Sequence, residues 1–209
     1  MDIKNNRLFG PSVSFKASPN RGGQFATNLP DTLVIHYTAG SSLGSSVATL
    51  CDPTSKASAH LVVGRDGTVV QLVPFNEIAW HAGASTLGSR VGLNKYSIGI
   101  EMDNAGRLTP TASGDFLTWF GKRIQKKDAI QGVHRNEEVS TWWHIYTQAQ
   151  IDCVFDLCKL LARTYPLSCV VGHEEISPRR KFDPGPAFPL DRLRDRLLGA
   201  GRKEDSAAA

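Results

Sequence analysis

The sequence predicts an α/β domain in which a central mixed β-sheet is flanked by helices. Three observations carry that reading. Short apolar, β-branched runs alternate along the chain with segments of helical spacing. An Asp-Gly pair separates two of those runs as a hairpin turn would. Two stretches of helical periodicity follow late in the chain, the first opening on a capping signature. With 209 residues, 41% hydrophobic and 21% charged, the chain can bury one core, which excludes disordered and collagen-like classes. Lys+Arg 24 against Asp+Glu 20 leaves a scattered net charge of +4, so no nucleic-acid partner is expected. No run of 18 apolar residues occurs, so no membrane insertion is expected. The polar segment Met1 to Asn6 does not read as a secretory signal, and the four cysteines form no C-x-x-C pair. A cytoplasmic location, with thiols kept reduced, is the resulting expectation.

Taken in order, residues 1–30 are rich in Gly, Pro, Ser and Asn and read as an N-terminal arm. Thr32 to Tyr37 is a buried strand, and Ser45 to Leu50 a short helix. Ala59 to Val63 and Thr68 to Val73 flank Arg65-Asp66-Gly67 as a hairpin. Tyr96 to Met102 and Ser168 to Gly172 are further strands. Thr147-Gln148-Ala149-Gln150 is a capping box, followed at helical spacing by Ile151, Val154, Phe155, Cys158 and Leu161. Leu190 to Leu198 is a last helix, and 199–209 a flexible tail. The main domain is thus 31–198, interrupted at about 105–146 by an insertion with three tryptophans and a Lys/Arg cluster. That insertion begins just after Glu101, so it is expected to form a wall or lid, with Trp142 and Trp143 available to stack on flat ligand faces.

Two of the six histidines stand at the exits of buried strands, where α/β sheets place their sites. His36 closes Leu33-Val34-Ile35, and His173 follows Val170-Val171-Gly172. Asp183 comes ten residues after His173. Two imidazoles and one carboxylate make a three-ligand catalytic zinc site with one position open. His173-Glu174-Glu175 does not continue as H-E-x-x-H, because Ser177 takes the fifth position. Glu101 ends the apolar strand Ser97-Ile98-Gly99-Ile100, and a carboxylate there is costly unless used or paired. Lys181 lies two residues before Asp183, on the same side of an extended segment. A general base and an oxyanion donor are one reading of this pair; a buried ion pair is the other.

The stretches Leu33-Val34-Ile35-His36-Tyr37-Thr38, Ser58-Ala59-His60-Leu61-Val62-Val63 and Ala79-Trp80-His81-Ala82-Gly83 belong to a wider pattern. So do Ser97-Ile98-Gly99-Ile100-Glu101 and the block from Val171-Gly172-His173 to Asp183-Pro184-Gly185-Pro186. Over roughly residues 31–104 and 147–198 the chain resembles the zinc-dependent N-acetylmuramoyl-L-alanine amidases of the type-2 amidase family. That family also includes AmpD-like enzymes, T7-type lysozyme and peptidoglycan recognition proteins. The resemblance implies zinc on His36, His173 and Asp183, with Glu101 as the catalytic carboxylate and Lys181 stabilising the transition state. It implies cleavage between the lactyl group of N-acetylmuramic acid and L-alanine, most naturally in 1,6-anhydro-muropeptides being recycled. A phage-type endolysin and a non-cutting peptidoglycan-binding module are the alternatives. Peptidoglycan fragments are the expected partners, with no obligate protein partner. Trp80 and His81 match a segment lining the family's groove, and Arg90 is a further candidate for a stem-peptide carboxylate. His60 reads as structural, and His134 and His144 are not assigned to the metal.

Overall fold

A computed structural model describes residues 1–199. The strand Thr32–Tyr37 stands second in a six-stranded sheet, its first five residues fully enclosed. It pairs in parallel with Cys169–Gly172 on one side and Ser97–Met102 on the other. Leu61–Val63 continues the parallel run beyond Ser97–Met102. Val69–Gln71 then returns antiparallel through the expected turn, with Gly67 in the left-handed region at φ 85°. The sixth strand, Val13–Phe15, comes from the segment read as an arm: it pairs with Val69–Gln71 and closes that edge of the sheet. Arg21–Gln24 from the same segment pairs with Glu77–Ala79.

Alternation along the strands sorts the two faces of the sheet. Leu33, Ile35, Ile98, Ile100 and Val170 point one way into the main core. The helices Gln148–Thr164 and Leu190–Leu198 cover them with Val154, Phe155, Leu157, Leu161 and Leu193. Each such side chain, once fully buried, stabilises the fold by about 1.5–3 kcal/mol. The first helix opens on the capping box read from the sequence, with Thr147 and Gln150 each bonding the other's backbone N–H. Residues of the opposite parity, Val34, His36, Gly99 and Glu101, face the other way, and the candidate site is built on that face.

The segment 105–146 is itself a sheet. Five antiparallel strands run in the order Arg123–Ile124, Phe116–Leu117, Arg107–Pro110, Ser140–His144, Ala129–Val133. Leu108, Phe116 and Ile124 form its own small core, with Phe120 and Trp142 packed against them. Among the described residues no helix is long and apolar enough to cross a membrane. The tail read as flexible lies, from residue 200 onward, outside the described residues.

Candidate metal centre and active-site cleft

Register brings the predicted residues together. Glu101 is the parallel partner of His36 on the neighbouring strand, so the two side chains leave the same face side by side. On the other flank Gly172 is the partner of Ile35, which puts His173, the first residue of the short helix His173–Ile176, next to His36. The loop then returns, and the Glu174 N–H donates to the Asp183 carbonyl at 2.8 Å. His36, His173 and Asp183 are all buried. Their facing atoms form a triangle: Nδ1 to Nδ1 2.9 Å, His36 Nδ1 to Asp183 Oδ2 2.9 Å, His173 Nδ1 to Asp183 Oδ2 3.0 Å.

Hydrogen-bond partners fix the tautomers around that triangle. His173 Nε2 donates to the Ala82 carbonyl at 3.1 Å, which leaves a lone pair on its Nδ1. His81 Nε2 donates to the Ser97 carbonyl at 3.2 Å, so its Nδ1 accepts from His36 Nε2 at 3.0 Å. The lone pair of His36 is then also on Nδ1. Three lone pairs therefore converge on one point, an arrangement that repels itself unless a cation sits there. The donor set of two imidazoles and a carboxylate suits zinc. Burial, together with repulsion from His173, pushes the His36 imidazole down to about 4, which favours the neutral ligand form. Burial raises the Asp183 carboxyl, but the contacts from His173 and His36 outweigh it and hold it well below the usual carboxylate range.

His173 and Asp183 floor a cleft of about 330 Å³, whose walls include Tyr37, Trp80, Glu101, Arg180 and Lys181. Glu101 Oε2 has no hydrogen-bond partner among the described residues. Burial, and then the Asp183 carboxylate, push its carboxyl up to about 8, with Lys181 pulling the other way. A carboxyl poised there is what acid–base work near neutral pH requires.

The remaining candidates separate. Trp80 is on the cleft wall and partly exposed. His81 edges the cleft, but both ring nitrogens are engaged, by His36 and Ser97, and the ring lies over Gly99. A Cβ on Gly99 would come within 2.4 Å of the His81 ring, so the absence of a side chain there makes room for it. His81 thus supports His36, one of the three candidate ligands, through its ring. Arg90 is elsewhere: its guanidinium grips both carboxylate oxygens of Asp31 at 2.7 Å. Asp31 precedes the first residue of the strand that ends near His36, roughly 16 Å away at the usual strand rise. His60 is structural, with Nδ1 accepting from Gly99 N–H and Nε2 donating to the Glu77 carbonyl. His134 and His144 are both off the triangle, the first bonded to Glu174 and the second to the Ala105 N–H. Trp143 is buried and Trp142 packs in the insertion's core, so neither offers a ring to a ligand. A further indole, Trp119, walls a groove that adjoins the cleft at Thr38, Ala39 and Leu50; an aromatic at the tip of a Gly-ended turn was its only signal in the sequence.

Comparison with known proteins places this geometry. A family model described as N-acetylmuramoyl-L-alanine amidase matches residues 26–186. The 1,6-anhydro-N-acetylmuramyl-L-alanine amidase AmpD of Escherichia coli K12 is 35% identical over 139 residues, 66% of this chain and 57% of that protein. The N-acetylmuramoyl-L-alanine amidase AmiD of the same organism is 33% identical over 195 residues, 89% of this chain and 60% of that protein. The chain thus spans about three fifths of the length of these curated relatives. A crystal structure of an AmpD derivative superposes with a TM-score of 0.65 at 26% identity, covering 94% of this chain and 99% of the other. AmiD from E. coli, in complex with anhydro-N-acetylmuramic acid-L-Ala-D-γ-Glu-L-Lys, gives 0.59 at 31% identity, covering 90% and 66%.

Proposed function

The chain belongs to the N-acetylmuramoyl-L-alanine amidase family, and from that premise we propose that it hydrolyses the amide between the lactyl carbonyl of N-acetylmuramic acid and L-alanine. The observation that carries the proposal is the convergence of three lone pairs beside an unpartnered carboxyl at the floor of an open cleft. His36, His173 and Asp183 hold zinc. A zinc ion bound there would supply Lewis acidity and lower the pKa of a water toward about 7. Glu101, as carboxylate, takes a proton from the attacking water. It returns that proton to the departing alanine amine as the C–N bond breaks, leaving a lactyl carboxylic acid and a free peptide. Lys181, on the cleft wall, donates to the oxygen that becomes negative in the tetrahedral intermediate. Trp80 lines the substrate's path.

Soluble 1,6-anhydro-muropeptides are the substrate class, supported by the relatives named for that bond and by the anhydro-muropeptide that AmiD binds. All four cysteines are free thiols, which supports a reducing, cytoplasmic setting for that recycling reaction. The test is product analysis on anhydro-muropeptide and on intact sacculi, before and after chelation. Release of stem peptide with a free alanine amine from the soluble substrate, lost on chelation and restored by zinc, is the expected result. Binding of muropeptide with no release of peptide by the zinc-loaded protein refutes catalysis.

A further inference from the structure

We propose that Trp119 is a stacking platform for the hexosamine ring on the glycan side of the scissile amide. This rests on the amidase reading and assigns the direction in which the sugar leaves the reaction centre. A second groove, of about 250 Å³, opens from the catalytic cleft and shares Thr38, Ala39, Leu50 and Glu101 with it. Its outer wall is Trp119, from the insertion.

Trp119 sits in the tight turn Thr118-Trp119-Phe120-Gly121, closed by the Gly121 N–H to the Thr118 carbonyl at 3.0 Å, with Gly121 at φ 84°. Phe120 turns into the insertion's core, while Trp119 stays 74% exposed. Yet the indole is not loose. Its Nε1–H donates to the Ala39 carbonyl at 2.8 Å, across to the loop that follows the His36 strand. An aromatic ring pinned by its edge and open on its face is what a pyranose stacks on; burial does not explain it.

The wall opposite is the helix Leu43–Leu50, which presents Ser45, Ser46 and Thr49. Ser46 Oγ is enclosed and has no hydrogen-bond partner among the described residues. A Cβ on Gly40 would approach that oxygen to 2.2 Å, so glycine keeps the space before it clear. A hydroxyl or acetamido group of a sugar would satisfy it.

Charge sets the direction. The stem peptide carries carboxylates, and the cations of the catalytic cleft, Arg180 and Lys181, line only the first groove. The second offers an indole and neutral hydroxyls around the shared Glu101. The scissile bond joins an acidic peptide to a neutral sugar, and the two arms diverge from the metal. The peptide runs along Arg180, the sugar toward Trp119.

The test compares kcat/KM on two substrates with the same amide: 1,6-anhydro-N-acetylmuramoyl-tripeptide and the sugar-free D-lactoyl-tripeptide. Trp119→Ala is expected to lose on the order of tenfold on the first, mainly in KM, and to leave the second unchanged. Trp119→Phe, which keeps a ring, should retain most of the preference. Equal loss on both substrates, or no loss on the first, overturns the proposal. A second readout does not depend on turnover: the Trp119 indole N–H resonance, titrated with N,N′-diacetylchitobiose. It should shift in the parent protein, and a resonance that stays put at saturating disaccharide overturns the subsite. Failure of the parent to cut either substrate refutes the amidase reading instead, while the titration still reads the sugar.

Discussion

Replacing Glu101 by Gln in the metal-free protein should change stability in a way that depends on pH. Burial and the Asp183 carboxylate raise the Glu101 carboxyl from 4.5 to about 8. In that interval the folded protein keeps the proton while the unfolded chain loses it. Folding therefore becomes less favourable as pH rises from about 4.5 through about 8, at roughly 1.36 kcal/mol per pH unit. By pH 9 the accumulated cost is about 3–5 kcal/mol. Gln keeps the shape of the neutral carboxyl and has nothing to ionise. Urea denaturation of chelated parent and Glu101→Gln should thus give curves within about 1 kcal/mol at pH 5 and separated by about 3–5 kcal/mol at pH 9, the variant being the more stable. Adding zinc should narrow the gap, since a nearby cation favours the carboxylate. A difference that stays flat from pH 5 to 9 would refute the placement of Glu101 as an unpaired buried carboxyl.

The metal assignment predicts one zinc per chain by elemental analysis, with His36→Ala and His173→Ala losing both zinc and turnover; full activity without metal would sink it. Glu101→Ala and Lys181→Ala should keep zinc and lose on the order of 100-fold in kcat, and rates close to the parent's would remove both from the chemistry. His81→Ala takes away the acceptor that fixes the His36 tautomer, and zinc affinity measured by competition with a chelator should fall roughly 10- to 100-fold. Unchanged affinity would leave His81 as packing. His134→Ala strips the buried Glu174 of a partner at 2.8 Å and should cost about 3–5 kcal/mol in denaturation, against no change if the pair is idle.

What the sequence made legible follows from where the physics is local. The strand Thr32–Tyr37 is buried on both faces and reads as an unbroken apolar run, the hairpin at Gly67 needs its positive φ, and the Thr147 cap is written within four residues. The strands in 1–30 and 105–146 are two to five residues long, too short for a period to show, and their pairing is set by distant partners. The candidate triangle was legible because His36 and His173 stand at strand ends and Asp183 follows His173 at a short spacing. Its support was not. Trp80 and His81 are neighbours in sequence and both reach the cleft, but the partners of His81, at 36, 97 and 99, are set by register. The pairing of Arg90 was hidden for the same reason, since nothing near it in sequence points to Asp31, 59 residues away.

The insertion illustrates how far such long-range contact shapes the site. Read as a lid, it is also a brace. His134 and Arg135 from its last turn hold both oxygens of Glu174, the residue after the candidate ligand His173. Glu174 in turn accepts from the Gly185 N–H at 2.9 Å, and Tyr146 donates to the Pro184 carbonyl at 2.7 Å. Trp143 lies against Gly185, where a Cβ would meet its ring at 3.0 Å, and Arg107 stacks over both Trp143 and Phe182. The loop carrying Asp183 is therefore fixed from outside the central sheet. A third candidate ligand held on a loop needs such a scaffold, because the sheet orients His36 and His173 but reaches no further. The same five-stranded unit extends Trp119 over the groove at its other end. Removing the insertion would thus disturb the Asp183 loop as well as the cleft wall. Point changes at Trp119 and His134 are the perturbations that separate its two roles.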